Sequence, residues 1–296
     1  MKLIELWCAL GELPMMRARY QTRYRCAAGN CFLWIALVFC GPVYAAGPDV
    51  LFDGHIHYSQ DAWPHYPPKA AVQILKAAGI GRALVSSTPD DGTLKLYELA
   101  PEIVVPVLRP YRSRGDMTAW FRDPEVFAYV KQRLASGIYA GLGEFHLFGA
   151  DAKRPEIARY VQLAARHGLF LQAHADAQAI ETLAGIDAAI SVVWAHGGMT
   201  ETPAVIRRLL SSYPNLWIEL SYRYDDIYPG EELSPAWRKL FMDYPQRFIL
   251  GTDTWAPIRW DQVSELADTA RAWLAELPAE VARKIASENG VRLIND

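Results

Sequence analysis

The chain has 296 residues, of which 51% are hydrophobic and 21% charged, and its formal net charge is −3. This composition is that of a globular protein with enough apolar residues for one large domain or two small ones. Beyond the first 45 residues there are 25 basic and 31 acidic side chains, with no run of lysine or arginine. Nucleic-acid binding requires a concentrated basic surface, so the sequence predicts no nucleic-acid partner.

The first 45 residues have the features of a secretory signal peptide. Four arginines, at 17, 19, 23 and 25, precede the apolar run 31–40, and the small residues Val43 and Ala45 stand at the minus-three and minus-one positions of a cleavage point after Ala45. Because a membrane span needs about 20 apolar residues, this run is too short to cross a bilayer comfortably, although an uncleaved N-terminal anchor is the alternative. We therefore expect a periplasmic or secreted protein that contacts a membrane only if the leader stays uncleaved.

All four cysteines lie in the same leader, and none follows Cys40. The rest of the chain, 46–296, is therefore expected to fold as a single domain without disulfides.

The segment 46–296 alternates short apolar runs with stretches of helical periodicity. The predicted strands are 50–53, 82–86, 103–108, 140–144, 170–174, 190–195, 216–220 and 248–251. The predicted helices are 68–78, 93–100, 124–136, 155–167, 177–184, 202–212, 235–243 and 260–276. Eight strand-then-helix units favour an α/β fold of the (β/α)8 TIM-barrel type, with an open doubly wound sheet as the alternative. No glycine-rich phosphate turn follows the first strand, and this weakens the alternative.

A further helical segment, 278–294, follows the eighth unit. Its Ile285, Asn289, Val291 and Leu293 are expected to pack under the barrel. The loops 58–68 and 222–233, after the first and seventh strands, are long and contain aromatic residues and prolines, as partly rigid lids over a site often do.

Polar side chains with metal-binding chemistry stand at the carboxyl ends of the predicted strands. Side chains of a strand alternate between its two faces, so His55 and His57 share one face. The others are Glu144 after the fourth strand, His174 after the fifth, His196 after the sixth and Asp253 after the eighth. In a barrel these strand ends form one rim, so residues distant in sequence come together there. The sequence therefore predicts a shared metal site.

Imidazole and carboxylate ligands without thiolates suit Zn²⁺, Mn²⁺ or Fe²⁺, and such a site makes water acidic enough to attack at neutral pH. Asp253 is a candidate both for ligand and for general base, the structural alternative being a helix cap. Glu144 is a candidate for bridging a second cation or for acting as base, the alternative being a carboxylate paired with a rim arginine.

This set of residues resembles the amidohydrolase superfamily, in particular its amidohydrolase-related (type 2) branch. The resemblance rests on Asp53-x-His55-x-His57 together with Glu144, His174, His196 and Asp253. It implies metal-ligand roles for His55, His57, His174 and Asp253, and for His196 the role of ligand to a second metal or activator of water. Glu144 is similar to the bridging acid of TatD-like members, whereas many type 2 members hold one metal. The resemblance thus implies one or two divalent ions, zinc first, and it assigns Asp53 to orienting a histidine.

Several rim residues are candidates for binding a small-molecule substrate. Arg109 and Arg112 follow the third strand and Arg223 the seventh, and a planar guanidinium binds carboxylate or phosphate through two parallel bonds. The alternative is that each arginine pairs with a rim acid. Trp255 is a candidate wall of an apolar pocket. His146 lies two residues past Glu144, either on the rim or buried beside the third strand.

The sequence thus favours a metal-dependent hydrolase that uses activated water to cleave an amide, ester or lactone bond of a small substrate, anionic if the arginines bind it. Two alternatives stay open: a metal-dependent non-oxidative decarboxylase of the same superfamily, and a catalytically silent binding barrel. A homo-oligomer is compatible with all three functions.

Overall fold

Eight parallel strands in sequential order form the centre of this protein, whose computed structural model describes residues 48–295. The strands are β1 (Leu51–Ile56), β2 (Ile80–Val85), β3 (Val104–Leu108), β4 (Gly141–Leu147), β5 (Phe170–Ala175), β6 (Val192–Trp194), β7 (Leu216–Glu219) and β8 (Phe248–Ile249). Each overlaps its predicted segment, and β4 continues three residues beyond the predicted end. The leader, 1–45, lies outside the described residues, so its assignment as signal peptide or anchor stays a prediction.

Helices follow the strands in regular alternation. They are α1 (Pro68–Ala77), α2 (Asp91–Leu99), α3 (Pro124–Leu134), α4 (Pro155–Arg166), α5 (Ala177–Ile186), α6 (Pro203–Ser212), α7 (Tyr224–Ile227), α8 (Pro235–Asp243), α9 (Arg259–Ala275), α10 (Ala279–Arg283) and α11 (Asn289–Leu293). Within 48–295, no helix is both long and apolar enough to cross a membrane.

The helix boundaries have local causes that the sequence shows. Proline at the first position opens α1, α3, α4, α6 and α8, where its missing N–H costs no hydrogen bond. Thr202 caps α6 by accepting a hydrogen bond from the backbone N–H of Val205. Gly168, at φ +65°, follows the end of α4 and supplies the left-handed residue that turns the chain towards β5.

The ring of strands closes between β1 and the segment after β8. The backbone N–H of Gly54 donates to the carbonyl of Leu250 at 2.7 Å, and the N–H of Asp253 donates to the carbonyl of His55 at 2.7 Å. Asp53 adds a side-chain link, because its Oδ2 accepts from the hydroxyl of Thr252 at 2.7 Å. These contacts confirm the predicted (β/α)8 barrel and exclude the open doubly wound sheet.

A compact group of side chains fills the barrel interior. Its members are Phe52, Leu84, Val105, Val107, Phe170, Val193, Trp217, Ile249 and Leu293. Because they come from strands around the whole ring and still contact one another, they lie inside it. A second and larger apolar cluster packs between the strands and the helices. This two-layer core holds the strand ends, and the polar residues on them, in fixed positions.

The C-terminal segment closes the interior, as predicted, through Leu293 of α11. Ile285 and Asn289 are buried too, and the Asn289 amide donates to the carbonyls of Pro245 at 2.9 Å and Phe248 at 2.8 Å. The expectation for Val291 is wrong, since this side chain is 40% exposed. Leu293 and Asn289 lie four residues apart on one helical face, which Val291 cannot share.

Candidate metal centre

The two histidines at the end of β1 converge on one point. His55 and His57 are both buried, and their Nε2 atoms lie 3.1 Å apart with the rings in an edge-on arrangement. Ile56, between them, packs into the core cluster on the opposite face of the strand. The alternation of a β-strand therefore places both imidazoles on the same side, as the spacing predicts.

Each ring is oriented through its other nitrogen. Nδ1 of His55 lies 2.8 Å from Oε2 of Glu219, and Nδ1 of His57 faces the carbonyl oxygen of Ser86. Acceptors at both Nδ1 positions fix the tautomer, so the proton is on Nδ1 and the Nε2 lone pair points to the centre. This is the arrangement that a metal-binding imidazole requires.

Glu144, within β4, divides its two oxygens between two sets of histidines. Oε2 lies 3.3 Å from Nε2 of His57 and 3.6 Å from Nε2 of His55. Oε1 lies 3.2 Å from Nδ1 of His174 and 3.4 Å from Nε2 of His196. A single carboxylate thus stands between two groups of nitrogens, which is the geometry of a bridging ligand.

Asp253 completes the first set of ligand atoms. Its Oδ1 lies 3.5 Å from Nε2 of His57 and 3.8 Å from Nε2 of His55, and it is buried without a hydrogen-bond partner among the described residues. An orphaned carboxylate oxygen that faces two imidazole lone pairs calls for a cation, because burying a charge without a partner is costly. The alternative of a helix cap does not hold, since α9 begins six residues later at Arg259.

The distances in this set fit a transition-metal ion. Ligand atoms in a tetrahedral site with bonds near 2 Å lie roughly 3.3 Å apart. The known separations among His55 Nε2, His57 Nε2, Glu144 Oε2 and Asp253 Oδ1 run from 3.1 to 3.8 Å. These donors therefore fit a divalent cation without rearrangement of the backbone.

In the second set, the ring of His196 is oriented by a hydrogen bond to Ser221. Nδ1 of His196 donates to the hydroxyl of Ser221 at 2.7 Å, and that hydroxyl donates to Oε2 of Glu219 at 2.9 Å. His196 consequently presents Nε2 to Glu144, while Oδ2 of Asp253 lies 3.9 Å away. The ring of His174 stands edge-on to that of His196, with centroids 4.9 Å apart.

Burial and charge shape the ionisation of the centre. Burial opposes charge on Glu219, but the neighbouring His55 outweighs it and lowers the pKa of this carboxyl to about 2. For Glu144, too, burial works against ionisation, and His55, His174 and His196 nevertheless hold its pKa well below the usual range. The acids in turn raise the pKa of His55 against the effect of its burial. The centre is thus a buried anionic site, which favours cation binding.

His146 lies beside the second set rather than beside β3. Its ring stacks on that of His174 with centroids 4.5 Å apart. The hydroxyl of Tyr111 accepts from the backbone N–H of His146 at 2.7 Å and lies 3.1 Å from its Nδ1. No other acceptor for the buried Tyr111 proton exists among the described residues, so the hydroxyl donates to Nδ1 and the ring proton is on Nε2. Burial lowers the pKa of His146 to about 4, which keeps this donor neutral.

A cleft of about 460 Å³ opens over the centre. Its lining comprises Ser59, Thr88, Arg109, Arg114, Met117, Glu144, His146, His174, His196, Met199, Tyr222, Asp253 and Trp255. The two long loops contribute Ser59 and Tyr222, and Trp255 takes the predicted position in the wall. A cleft of this size suits a small molecule.

Arg109 lines the cleft but is bound to Glu144. Its Nη2 donates to Glu144 Oε2 at 2.8 Å and its Nε donates to the carbonyl of the same residue at 3.0 Å. Glu144 therefore pairs with a rim arginine, as the structural alternative predicted, and it also lies among the histidines. The guanidinium fixes the position of the carboxylate.

Arg112 and Arg223 do not line the cleft, and the substrate-binding role expected for them stays a prediction without a contact in this structure. Arg112 donates to Asp116 at 2.8 Å and Asp123 at 2.6 Å on the outer side of the loop after β3. Arg223 is buried and donates to Asp226 and to the carbonyls of Gly197 and Glu201. Position after a strand does not set the direction of a long side chain, and in both cases nearby acceptors outside the cleft take the guanidinium.

Arg223 still matters for the centre, because it holds the loop that carries His196. This loop, Ala195–Gly198, has left-handed backbone at His196 and Gly197, with φ of +58° and +49°. Two of the carbonyls bound by Arg223 belong to these two residues, at 3.3 and 2.9 Å. The arginine thus stabilises an unfavourable backbone that aims the His196 ring.

Two residues of the site were not identified from the sequence. Glu219 contacts His55, His196 and Ser221, and Ser221 orients His196. The one available signal was a glutamate inside the apolar run 216–220, since a charge in a buried strand needs a partner. Asp53 orients backbone rather than a ring: its Oδ1 accepts from the N–H of His55 at 2.9 Å.

Comparison with known protein families gives one match. A family model described as amidohydrolase matches residues 122–295. No curated protein sequence matches the chain.

Solved structures share the fold. An amidohydrolase from Burkholderia multivorans with bound zinc is 18% identical, with a TM-score of 0.55 over 83% of this chain and 99% of that one. A candidate 2-pyrone-4,6-dicarboxylic acid hydrolase from Pseudomonas putida is 13% identical, with a TM-score of 0.59 over 84% and 98%. N-acetyl-D-glucosamine-6-phosphate deacetylase from Mycobacterium smegmatis is 17% identical, with a TM-score of 0.55 over 83% and 76%. At these identities the likeness is one of fold.

The family match spans more than half of the chain and agrees with the resemblance found in the sequence. The hypothesis of a catalytically silent barrel gives way to that of an enzyme, and decarboxylation is not favoured. The chain belongs to the amidohydrolase family and is a hydrolytic enzyme of the metal-dependent kind.

Proposed function

We propose that this protein hydrolyses an ester, lactone or amide bond of a small molecule with the help of two divalent cations that share Glu144 as a ligand. The observation that supports this most directly is the division of the Glu144 oxygens, with Oε2 facing His55 and His57 and Oε1 facing His174 and His196. A carboxylate with only one set of histidine neighbours would fit a single ion.

The donors separate into two groups around this carboxylate. His55, His57 and Asp253 would hold the first cation with Glu144, and His174 and His196 would hold the second. A divalent cation, when bound, supplies acidification of water and polarisation of a carbonyl oxygen. We propose zinc, because imidazoles and carboxylates bind Zn²⁺ and the amidohydrolase from Burkholderia multivorans that shares this fold holds zinc.

Asp253 is proposed as the general base. Its Oδ1 is enclosed against the β1 histidines, which leaves Oδ2 to meet the cleft. A carboxylate at this position accepts a proton from attacking water and returns it to the leaving group. The hydrogen bond from the backbone N–H of Asp253 to the carbonyl of His55 fixes the distance between base and ligands.

The remaining residues position the reacting groups. Arg109 holds Glu144 through two bonds, and Glu219 with Ser221 holds His55 and His196. His146 presents its Nε2–H beside His174 in the cleft, where it donates to an oxygen of the substrate. A neutral donor of this kind stabilises the negative charge that develops on a carbonyl oxygen under attack.

Export remains part of the proposal. It is supported by the leader in the sequence, 1–45, with its arginines, apolar run and small residues before Ala46. A homo-oligomer, and a membrane contact through an uncleaved leader, stay predictions.

The proposal is tested by stripping and restoring the metal. The full chain is dialysed against a chelator, and hydrolysis of p-nitrophenyl butyrate is followed before and after one and two equivalents of Zn²⁺ are added. We expect activity to vanish with the metal and to return in full only near two equivalents. Hydrolysis that persists after complete metal removal contradicts the proposal.

A further inference from the structure

The cleft has an apolar wall outside the metal centre. Met117, Met199, Tyr222 and Trp255 line it, and they come from the loops after β3, β6, β7 and β8. Met199 and Trp255 are 39% and 51% exposed, although most large apolar side chains of the described chain are buried. Apolar surface that borders a polar centre is typical of a binding site for an apolar group.

Part of this wall is fixed in place before any ligand binds. The indole N–H of Trp255 donates to the hydroxyl of Tyr222, and the guanidinium of Arg259 lies 4.2 Å from the Tyr222 ring centre. Arg259 also donates to the backbone carbonyl of Asp253 at 2.6 Å. The same arginine therefore connects the wall to the proposed base. Because this surface is formed before a ligand binds, it loses little conformational freedom on binding.

The cationic side chains at the cleft are already engaged. Of the two arginines that line it, Arg109 is bound to Glu144, and Arg114, which is largely exposed, is paired with Asp61. Arg259 is engaged by the carbonyls of Thr252 and Asp253. The other polar lining residues outside the proposed ligands are Ser59, Thr88, Tyr222 and His146. Among the lysines and arginines of residues 48–295, the two that line the cleft, Arg109 and Arg114, thus each have an acidic partner.

We propose that the cleft binds an uncharged ester, lactone or amide that carries an alkyl or aryl arm, and that this arm lies against Met117, Met199, Tyr222 and Trp255. That the ligand carries an ester, lactone or amide group rests on the proposed function. That it carries an apolar arm follows from the apolar side chains that line the cleft. A carboxylate on the arm would lose water in front of apolar side chains without gaining a free cation, which is unfavourable. This proposal differs from the sequence-based expectation of an anionic substrate, and the experiments below distinguish the two.

The binding experiment uses a matched pair of amides and does not depend on turnover. Hexanamide and adipamate differ only in that adipamate has a carboxylate in place of the terminal methyl group. Their dissociation constants for the zinc-loaded full chain are measured by NMR titration. We expect hexanamide to bind at least tenfold more tightly than adipamate. Equal or tighter binding of adipamate, or no binding of either amide, would overturn the proposal.

Two variants test whether hexanamide binds against the apolar wall. Trp255→Ala should weaken hexanamide binding about fivefold or more, because the indole supplies a large part of the exposed apolar surface. Ile258→Ala removes an apolar side chain that is more exposed than Trp255 but does not line the cleft, and it should change the dissociation constant less than twofold. Equal effects of the two substitutions contradict the assignment. Tighter binding of adipamate that Arg114→Gln abolishes would show instead that the cleft selects anions.

Kinetics separate this inference from the proposed function. Across p-nitrophenyl acetate, butyrate and hexanoate, kcat/KM should rise about two- to fourfold per buried methylene group, and Trp255→Ala should flatten the series. If none of the esters is hydrolysed in a metal-dependent way while hexanamide still binds selectively, the proposed function fails and the inference stands. If all are hydrolysed without regard to chain length or terminal charge, the inference fails and the proposed function stands.

Discussion

Oε2 of Glu219 lies 2.8 Å from Nδ1 of His55, a residue 164 positions earlier in the chain. The same oxygen accepts from the backbone N–H of His196 at 3.1 Å and from the hydroxyl of Ser221 at 2.9 Å. One buried carboxylate at the end of β7 thus orients a proposed ligand of each cation. Outer partners of this kind affect metal affinity almost as strongly as the ligands themselves.

Replacing Glu219 should therefore weaken metal binding without removing a ligand. For Glu219→Gln we expect zinc affinity to fall by about 10- to 100-fold, since the amide keeps the shape but loses the charge that supports His55. Competition with a chromophoric chelator measures the affinity. Glu265→Gln, on the exposed face of α9, is the control and should leave it unchanged. Equal zinc affinities for the two variants would show that Glu219 does not support metal binding.

Asp253→Asn tests the general base. We expect kcat to fall on the order of 10²-fold or more, because the amide cannot accept the proton, while the fold is retained. Metal content is measured on the same sample. A loss below tenfold with full metal content means that Asp253 is a ligand only.

Arg109 and Arg112 provide a matched pair, since both follow β3 and only Arg109 contacts Glu144. Arg109→Gln should lower kcat/KM by about tenfold or more, because Glu144 loses two bonds that fix its position. Arg112→Gln removes ion pairs with Asp116 and Asp123 at the partly exposed outer surface and should leave kcat/KM within twofold. The reverse order of effects would contradict the geometry described for the centre.

Asp90 gives a test of pH dependence away from the metal centre. Burial raises the pKa of this carboxyl from 3.8 to about 6, although the hydroxyl of Tyr139 and Arg133 oppose the shift. Because the pKa is raised in the folded state, the contribution of Asp90 to stability is fully present below about pH 4 and is lost as the pH rises through about 6, by up to about 3 kcal/mol. Urea unfolding between pH 4 and 8 should therefore show a flatter profile for Asp90→Asn than for the parent protein. Glu98→Gln, which changes an exposed carboxylate of the same helix that takes no part in this shift, should keep the parent's profile.

The sequence predicted the barrel and most of the centre because both depend on periodic patterns. Strand-end positions are enough to bring His55, His57, His174, His196 and Asp253 to one rim, whatever the details of the loops. The expectation that Val291 is buried goes against the same periodicity, since Val291 lies two residues from Asn289 and from Leu293 and therefore faces away from them.

Contacts made by long or buried polar side chains could not be predicted in the same way. Glu219 lies inside an apolar run, and its partners come from β1 and the loop after β6, far away in sequence. Arg109 and Arg112 follow the same strand but bind different acids, Glu144 and Asp116, and Arg223 binds carbonyls of a left-handed turn at His196 and Gly197. These contacts depend on three-dimensional positions of acceptors that no local pattern encodes.

The most direct test of the account is the metal content of the purified full chain, compared with that of Glu144→Gln. Elemental analysis after loading with Zn²⁺ and removal of excess should find about two ions per chain, as expected for a carboxylate that bridges two sets of histidines. The folded Glu144→Gln variant, verified by circular dichroism, should retain one ion or none. A folded parent chain that cannot be loaded, or one that holds a single ion unaffected by Glu144→Gln, would contradict the account.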